Sequence, residues 1–228
     1  MTRFGCQDMV SPIRQVLLKH PKDAFINQSK VDREFVQLNY SGAPDYHRAC
    51  ANYDSFLNLL KSFGIKIHFL PVSKSTSLDS VYTHDPCIVS NNGVILCNMG
   101  KTARLSEPEA VKEYFQSIHV PILGRIKSPG TLEGGDVVWI DEQTVAVGDG
   151  YRSNAEGICQ LKALLGDQVD NLISVPLPHW TGPEDCLHLM SIVSPIDHDL
   201  YLMYSRLLPV PFRKYLLDRQ IQFIEVPD

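Results

Sequence analysis

The amino-acid sequence predicts an α/β protein assembled from recurring strand–strand–helix–strand units. Three observations predict it. Short apolar runs come in pairs joined by turn chemistry, a stretch with helical apolar spacing follows each pair, and one further short run closes each set. A doubly wound sheet would give one strand per helix, so the paired strands argue against that alternative.

In order, Gln15–Lys19 reads as a strand, followed by a long amphipathic helix whose apolar positions are Tyr46, Tyr53, Phe56, Leu60 and Phe63. Gly64 stops that helix and Ile65–Leu70 is a strand. Cys87–Ser90 and Val94–Cys97 form a hairpin through Asn91-Asn92-Gly93, because Asn and Gly accept positive φ. Ser106 and Glu109 make a capping box for a helix with Val111, Tyr114 and Phe115 on its apolar face, and His119–Leu123 is the next strand. Val137–Ile140 and Thr144–Val147 flank an Asp141-Glu142-Gln143 turn. A helix from about Ala155 to Leu165 then stops at Gly166, and Leu172–Val175 follows as a strand. The last set has Leu187–Val193, Leu200–Tyr204, a helix near Phe212–Leu217 and Ile221–Val226. The expected units are about 14–70, 82–123, 133–177 and 187–226, in a single domain.

A chain of 228 residues, 44% hydrophobic and 21% charged, can bury one sizeable core. Its formal charge is -5 and its basic residues are scattered, so nucleic acid, which needs clustered positive charge, is not an expected partner. No apolar stretch approaches the roughly 20 residues that span a bilayer, and the N-terminal sequence lacks a signal peptide's apolar core. The six cysteines (Cys6, Cys50, Cys87, Cys97, Cys159, Cys186) are widely spaced without a CxxC pair, as in reduced thiols of a cytoplasmic protein.

Chemistry is expected where the repeats place polar groups in register. Glu133-Gly134-Gly135-Asp136 puts two carboxylates around glycines that allow close backbone approach. Asp85, Glu133 and His188 each stand near the start of the first strand of successive units, where equivalent strand ends of a pseudosymmetric ring converge. Arg104 and Arg152 occupy equivalent loops between hairpin and helix. As a pair they could clamp a carboxylate, for which the guanidinium fork is well shaped. Acids at one end and arginines at the other suit a zwitterion such as an arginine derivative.

Together these pieces resemble the guanidino-group-modifying pentein family, rings of five strand-strand-helix-strand units, and most of all its dimethylargininase branch. The matching segments are Val16–Pro21, His84-Asp85-Pro86, Gly100–Glu107 with Arg104, Leu132–Val137, Arg152-Ser153-Asn154 and His188-Leu189. The resemblance implies a pentein-type α/β propeller that acts on a small guanidino substrate without metal or cofactor. In that chemistry a cysteine thiolate attacks the guanidinium carbon, a covalent thiouronium forms, and water releases citrulline and an amine. By motif match Glu133 and Asp85 would hold the guanidinium, His188 would be the general acid/base, and Arg104 and Arg152 would bind the α-carboxylate. Leu18 and Asp136 would complete the substrate contacts.

The sequence departs from the family pattern in three places. His84 stands where the family often has Arg, and Met190 stands where arginine deiminases and amidinotransferases carry an acid. The second difference favours the dimethylargininase branch. The third is that the family's nucleophile lies near the end of a fifth unit, whereas this sequence ends at Asp228, after the fourth. Cys186 reads as a packed cysteine. The expectation is a chain inactive as it stands, with open strand edges that invite self-association; the alternatives are a non-catalytic pentein-fold binding protein and an amidinotransferase. The stretch Pro21–Pro44 reads as partly a lid.

Overall fold

The periodic apolar runs fold into short strands and helices in a computed structural model that describes residues 4–184 and 186–227. The chain forms two compact units, one of Pro12–Thr83 with Lys101–Tyr114, the other of Met1–Ser11, His84–Gly100 and Phe115–Asp228.

The first of these contains β1 (Gln15–Leu18), α1 (Pro21–Ala24), α2 (Gln28–Glu34), α3 (Tyr46–Ser62), β2 (Lys66–Phe69) and the greater part of α4 (Glu107–Ser117). β1 and β2 pair in parallel, Gln15 opposite Lys66. The side chain of Asp45 caps α3 by accepting from the Arg48 N–H, and Gly64 takes φ 71 just beyond the helix end. The segment expected to be partly a lid carries the short helices α1 and α2, and Ala24, Phe25, Val31 and Leu38 from it pack with Leu78 in a buried cluster.

The second unit holds the remaining strands as three sheets of one design. In each, an antiparallel pair is followed by a third strand parallel to the middle one: β3 (Cys87–Ser90), β4 (Gly93–Leu96) and β5 (Ile122–Arg125); β6 (Val137–Asp141), β7 (Thr144–Asp149) and β8 (Asn171–Pro176); β9 (Val193–Asp197), β10 (Leu200–Met203) and β11 (Gln222–Glu225). The helix between the second and third strands of the middle sheet is α5 (Ala155–Leu165), and that of the last sheet is α6 (Val210–Asp218).

Strand periodicity divides the interior of this unit into two cores. Val137, Trp139, Val145 and Val147 pack with Ile158, Leu161 and Leu165 of α5, whereas Val138, Ile140 and Ala146 pack with Tyr201, Met203, Phe212 and Leu216. Successive residues of β6 and β7 thus enter opposite cores, which is why both strands read as continuous apolar runs. Burying each such side chain contributes about 1.5–3 kcal/mol, so both faces of this central hairpin help to hold the unit together.

Two expected strands are placed differently. Leu187–Val193 is not one strand: it contains a 3-10 turn at Leu189–Ser191, and β9 starts only at Val193. The Leu189 N–H donates to Asp136 Oδ1 and the Ser191 N–H to the His188 carbonyl, so ladder donors are consumed elsewhere. The strand expected at His119–Leu123 begins at Ile122, because His119 takes φ 58, a left-handed conformation outside any ladder.

Candidate active site

The segment between Thr131 and Val137 is pinned at its start by α5. Asn154 caps that helix by accepting from the Gly157 N–H at 2.8 Å, and the same side-chain oxygen accepts from Thr131 N at 3.0 Å. Gly157 leaves room for this contact, since a Cβ there would lie 1.9 Å from the Thr131 carbonyl oxygen. The chain then passes Glu133 and makes a 3-10 turn at Gly134–Asp136 before β6.

The two glycines do what their sequence context predicts. A Cβ on Gly134 would lie 2.2 Å from the His84 carbonyl oxygen, and one on Gly135 would lie 2.2 Å from His188 Nδ1. Their absent side chains let the turn dock against Asp85. Gly134 N donates to the Asp85 carbonyl at 2.9 Å and Gly135 N to Asp85 Oδ1 at 3.0 Å.

Around this turn the structure gathers Asp85, Glu133, Asp136, Arg152 and His188, all buried. Glu133 is fully withdrawn from solvent. Its Oε2 meets His188 Nε2 at 2.9 Å and accepts from Arg152 NH1 at 3.3 Å. Asp136 is equally buried and ties neighbouring segments together, with Oδ1 taking the Leu189 N–H at 3.0 Å and Oδ2 the Ser153 hydroxyl at 2.6 Å. Ser153 Oγ in turn accepts from the Glu133 N–H at 3.1 Å.

Burial opposes the charged form of both titrating groups, with different outcomes. Desolvation pushes the Asp136 carboxyl up to about 6, even though His188 and the Ser153 and Leu189 hydrogen bonds favour its anion. Desolvation also works against the His188 imidazolium, but its hydrogen bonds to Cys186 and Glu133 and the charge of Asp136 outweigh it and hold His188 up at about 10. His188 therefore carries its proton at neutral pH between two acids, as a group must if it is to deliver a proton to a leaving nitrogen.

Cys186 does not pack in the interior as its sequence context suggests. It is exposed, and its Sγ lies 3.5 Å from His188 Nδ1 and 3.9 Å from Nε2. The fully buried Ser153 enters the sequence reading only within the Arg152–Asn154 segment, without a role of its own. Its position between the marked Arg152 and the helix cap Asn154 was the available signal.

Arg104 and Leu18 belong to the other unit. Arg104 is buried, and its guanidinium forks onto Glu107 at 2.8–3.2 Å while also donating to the Tyr82 carbonyl at 3.0 Å. The carboxylate in its fork is thus one of the chain's own. Leu18 is half-buried at the end of β1, and its carbonyl accepts from the Leu70 N–H at 2.8 Å. Among the described residues no group of three or more His, Cys, Asp or Glu is arranged to hold a metal ion. Among them, too, no helix is long and apolar enough to cross a membrane.

The sequence model of the arginine deiminase family matches residues 75–220, which include Asp85, Glu133, Asp136, Arg152 and His188. This chain belongs to the arginine deiminase family. The family is one of C–N hydrolases, and the chain is dimethylargininase-like within it. It is 27% identical over 191 residues to the N(G),N(G)-dimethylarginine dimethylaminohydrolase of Pseudomonas aeruginosa, covering 83% of this chain and 70% of that protein. The enzyme of the same name from Streptomyces coelicolor is 28% identical over 213 residues, covering 88% of this chain and 76% of the relative. The P. aeruginosa dimethylargininase solved with citrulline superposes with a TM-score of 0.74 at 24% identity, over 94% of this chain and 76% of that one, so the two share the pentein fold.

Proposed function

We propose that this chain provides the guanidino-binding and proton-donating part of a dimethylargininase-type site, which acts on a small arginine derivative by hydrolysing its C–N bond to citrulline and an amine. The observation that carries this reading is Glu133, a fully buried carboxylate that already receives a guanidinium nitrogen of Arg152 at 3.3 Å while holding the proton-bearing His188 at 2.9 Å. A carboxylate placed this way can accept a guanidinium from outside, and the adjacent imidazolium can protonate the departing amine. Burying the substrate cation costs several kcal/mol unless acids flank it, and Asp85 supplies a second carboxylate beside the same turn. Asp136, with one in-chain donor on each oxygen, fixes the segments that carry Glu133 and His188. The relatives' names, and the citrulline bound in one of them, favour an arginine-type ligand. In the same reading the three-stranded sheets, together with β1 and β2, are successive repeats of a pentein-type α/β propeller in a cytoplasmic enzyme.

The test is calorimetry of the purified chain with citrulline and with an asymmetrically methylated arginine, run beside an assay for citrulline release. Binding with release supports hydrolysis, whereas binding without release replaces it with a ligand-binding role. No binding of either compound overturns the reading.

A further inference from the structure

Cys186 is solvent-exposed, yet its sulfur lies within hydrogen-bonding reach of a buried histidine. Sγ is 3.5 Å from His188 Nδ1, and the opposite ring nitrogen is held by Glu133 at 2.9 Å. A thiol, an imidazole and a carboxylate in that order reproduce the nucleophile–base–orienter logic that activates cysteines, because the carboxylate fixes the ring and steadies its positive charge. The charged or titratable groups facing the ring are Cys186 on its own segment, Glu133 and Asp136 from the turn at Gly134–Asp136, and Arg152 through the shared Glu133 oxygen. The glycine at 135 supplies only backbone beneath Nδ1.

We propose that Cys186 and His188 share a proton as a thiolate–imidazolium pair, and that Cys186 is thereby a covalent modification site for soft electrophiles at the edge of the candidate active site. In the modifying step the sulfur forms a bond to the electrophilic carbon, the leaving group departs with the bonding electrons, and the thiol proton remains on His188. One consequence rests on the hydrolase reading above: a group attached at Cys186 crowds Nδ1 and blocks turnover.

The pair is tested by alkylating the intact chain with iodoacetamide between pH 5.5 and 8.5 and quantifying each cysteine by peptide mass spectrometry. Cys159 is likewise exposed and serves as the internal reference. An ordinary thiol reacts about tenfold faster per pH unit in this range, because only its thiolate attacks. Cys186 is expected to react at least tenfold faster than Cys159 at pH 6 and to rise by less than twofold from pH 6 to 8. His188→Gln returns Cys186 to the Cys159 profile. Parallel profiles for the two cysteines in the unmodified chain overturn the proposal, whether or not the chain releases citrulline. If the variant fails to fold, the wild-type profiles decide alone.

Discussion

The imidazole of His188 and the carboxylate of Glu133 meet at 2.9 Å with both side chains almost wholly withdrawn from solvent. The Glu133 oxygen that holds the imidazole also takes the Arg152 guanidinium, so one negative charge serves two cations. Glu133→Gln keeps the size of the side chain and removes that charge, depriving Arg152 and the imidazolium of their shared anion in a dry site. The expected cost is about 3–5 kcal/mol, read as a lower urea midpoint at unchanged m. A loss below about 1 kcal/mol would show that water reaches the pair and that the charges are ordinary surface charges.

The same pair makes stability depend on pH with a definite sign. His188 titrates at about 10 when folded against 6.5 ordinarily, so the folded chain binds this proton more tightly than the unfolded one. The stabilisation is fully present below about 6.5 and is lost as pH rises toward 10. Asp136 adds a slope of the same sign lower down. Its folded value of about 6 lies above the usual 3.8, so charging it costs the folded state as pH climbs through that interval. Calorimetric melting temperatures should decline across both windows. His188→Gln should flatten the upper decline and Asp136→Asn the lower one, and unchanged slopes in both variants would remove titration of these residues as the cause.

Gly134 and Gly135 separate folding from positioning. Gly134→Ala drives its Cβ to 2.2 Å from a backbone oxygen, that of His84, next to the Asp85 carbonyl to which Gly134 N itself donates, so it yields little. Gly135→Ala meets a side chain instead, His188 Nδ1 at 2.2 Å, and that ring can turn. Overpacking of this kind costs about 1–3 kcal/mol, so Gly134→Ala should lower stability by that amount in chemical denaturation. Gly135→Ala should cost less in stability but shift the histidine's NMR titration downward, because the ring is pushed off Glu133. Equal stability losses with an unmoved titration would contradict this division.

Much of this arrangement was legible because local chemistry and packing agree. Asn91-Asn92-Gly93 announces a hairpin and the structure has one, with Gly93 at φ 152; Gly166 closes α5 at φ 53 as its position implies. Val137–Ile140 reads as a strand because two cores press on it from both sides. The turn at Leu189–Ser191 was not legible, since the donor it diverts goes to Asp136, 53 positions earlier in the chain. Asp85, Glu133 and His188 were marked by their equal places in the repeat, a signal that needs no contact information. Cys186 was misjudged because it matches no motif position, whereas the irregular segment before the turn at Leu189–Ser191 leaves it exposed beside His188. Arg104 and Arg152 share a place in the repeat but not a partner: the guanidinium of Arg104 grips Glu107 three residues on, a local choice the repeat does not encode.

Ser153 gives the sharpest test of how the two acids are held apart. Its hydroxyl is fully buried, donates to Asp136 at 2.6 Å and accepts the Glu133 N–H at 3.1 Å, so a single oxygen separates the two acidic residues. Ser153→Ala leaves a buried backbone donor and a buried carboxylate oxygen each one partner short, at an expected cost of about 1–3 kcal/mol. The carboxylate also loses a hydrogen bond that favours its anion, so Asp136 should titrate still further above its ordinary range. The declining limb of melting temperature assigned to Asp136 would then move to higher pH. Ser153→Thr retains the hydroxyl and should restore that limb even if the added methyl lowers stability throughout. If Ser153→Ala lowers stability equally at every pH and leaves the limb in place, Ser153 supports the backbone alone and does not govern the proton on Asp136.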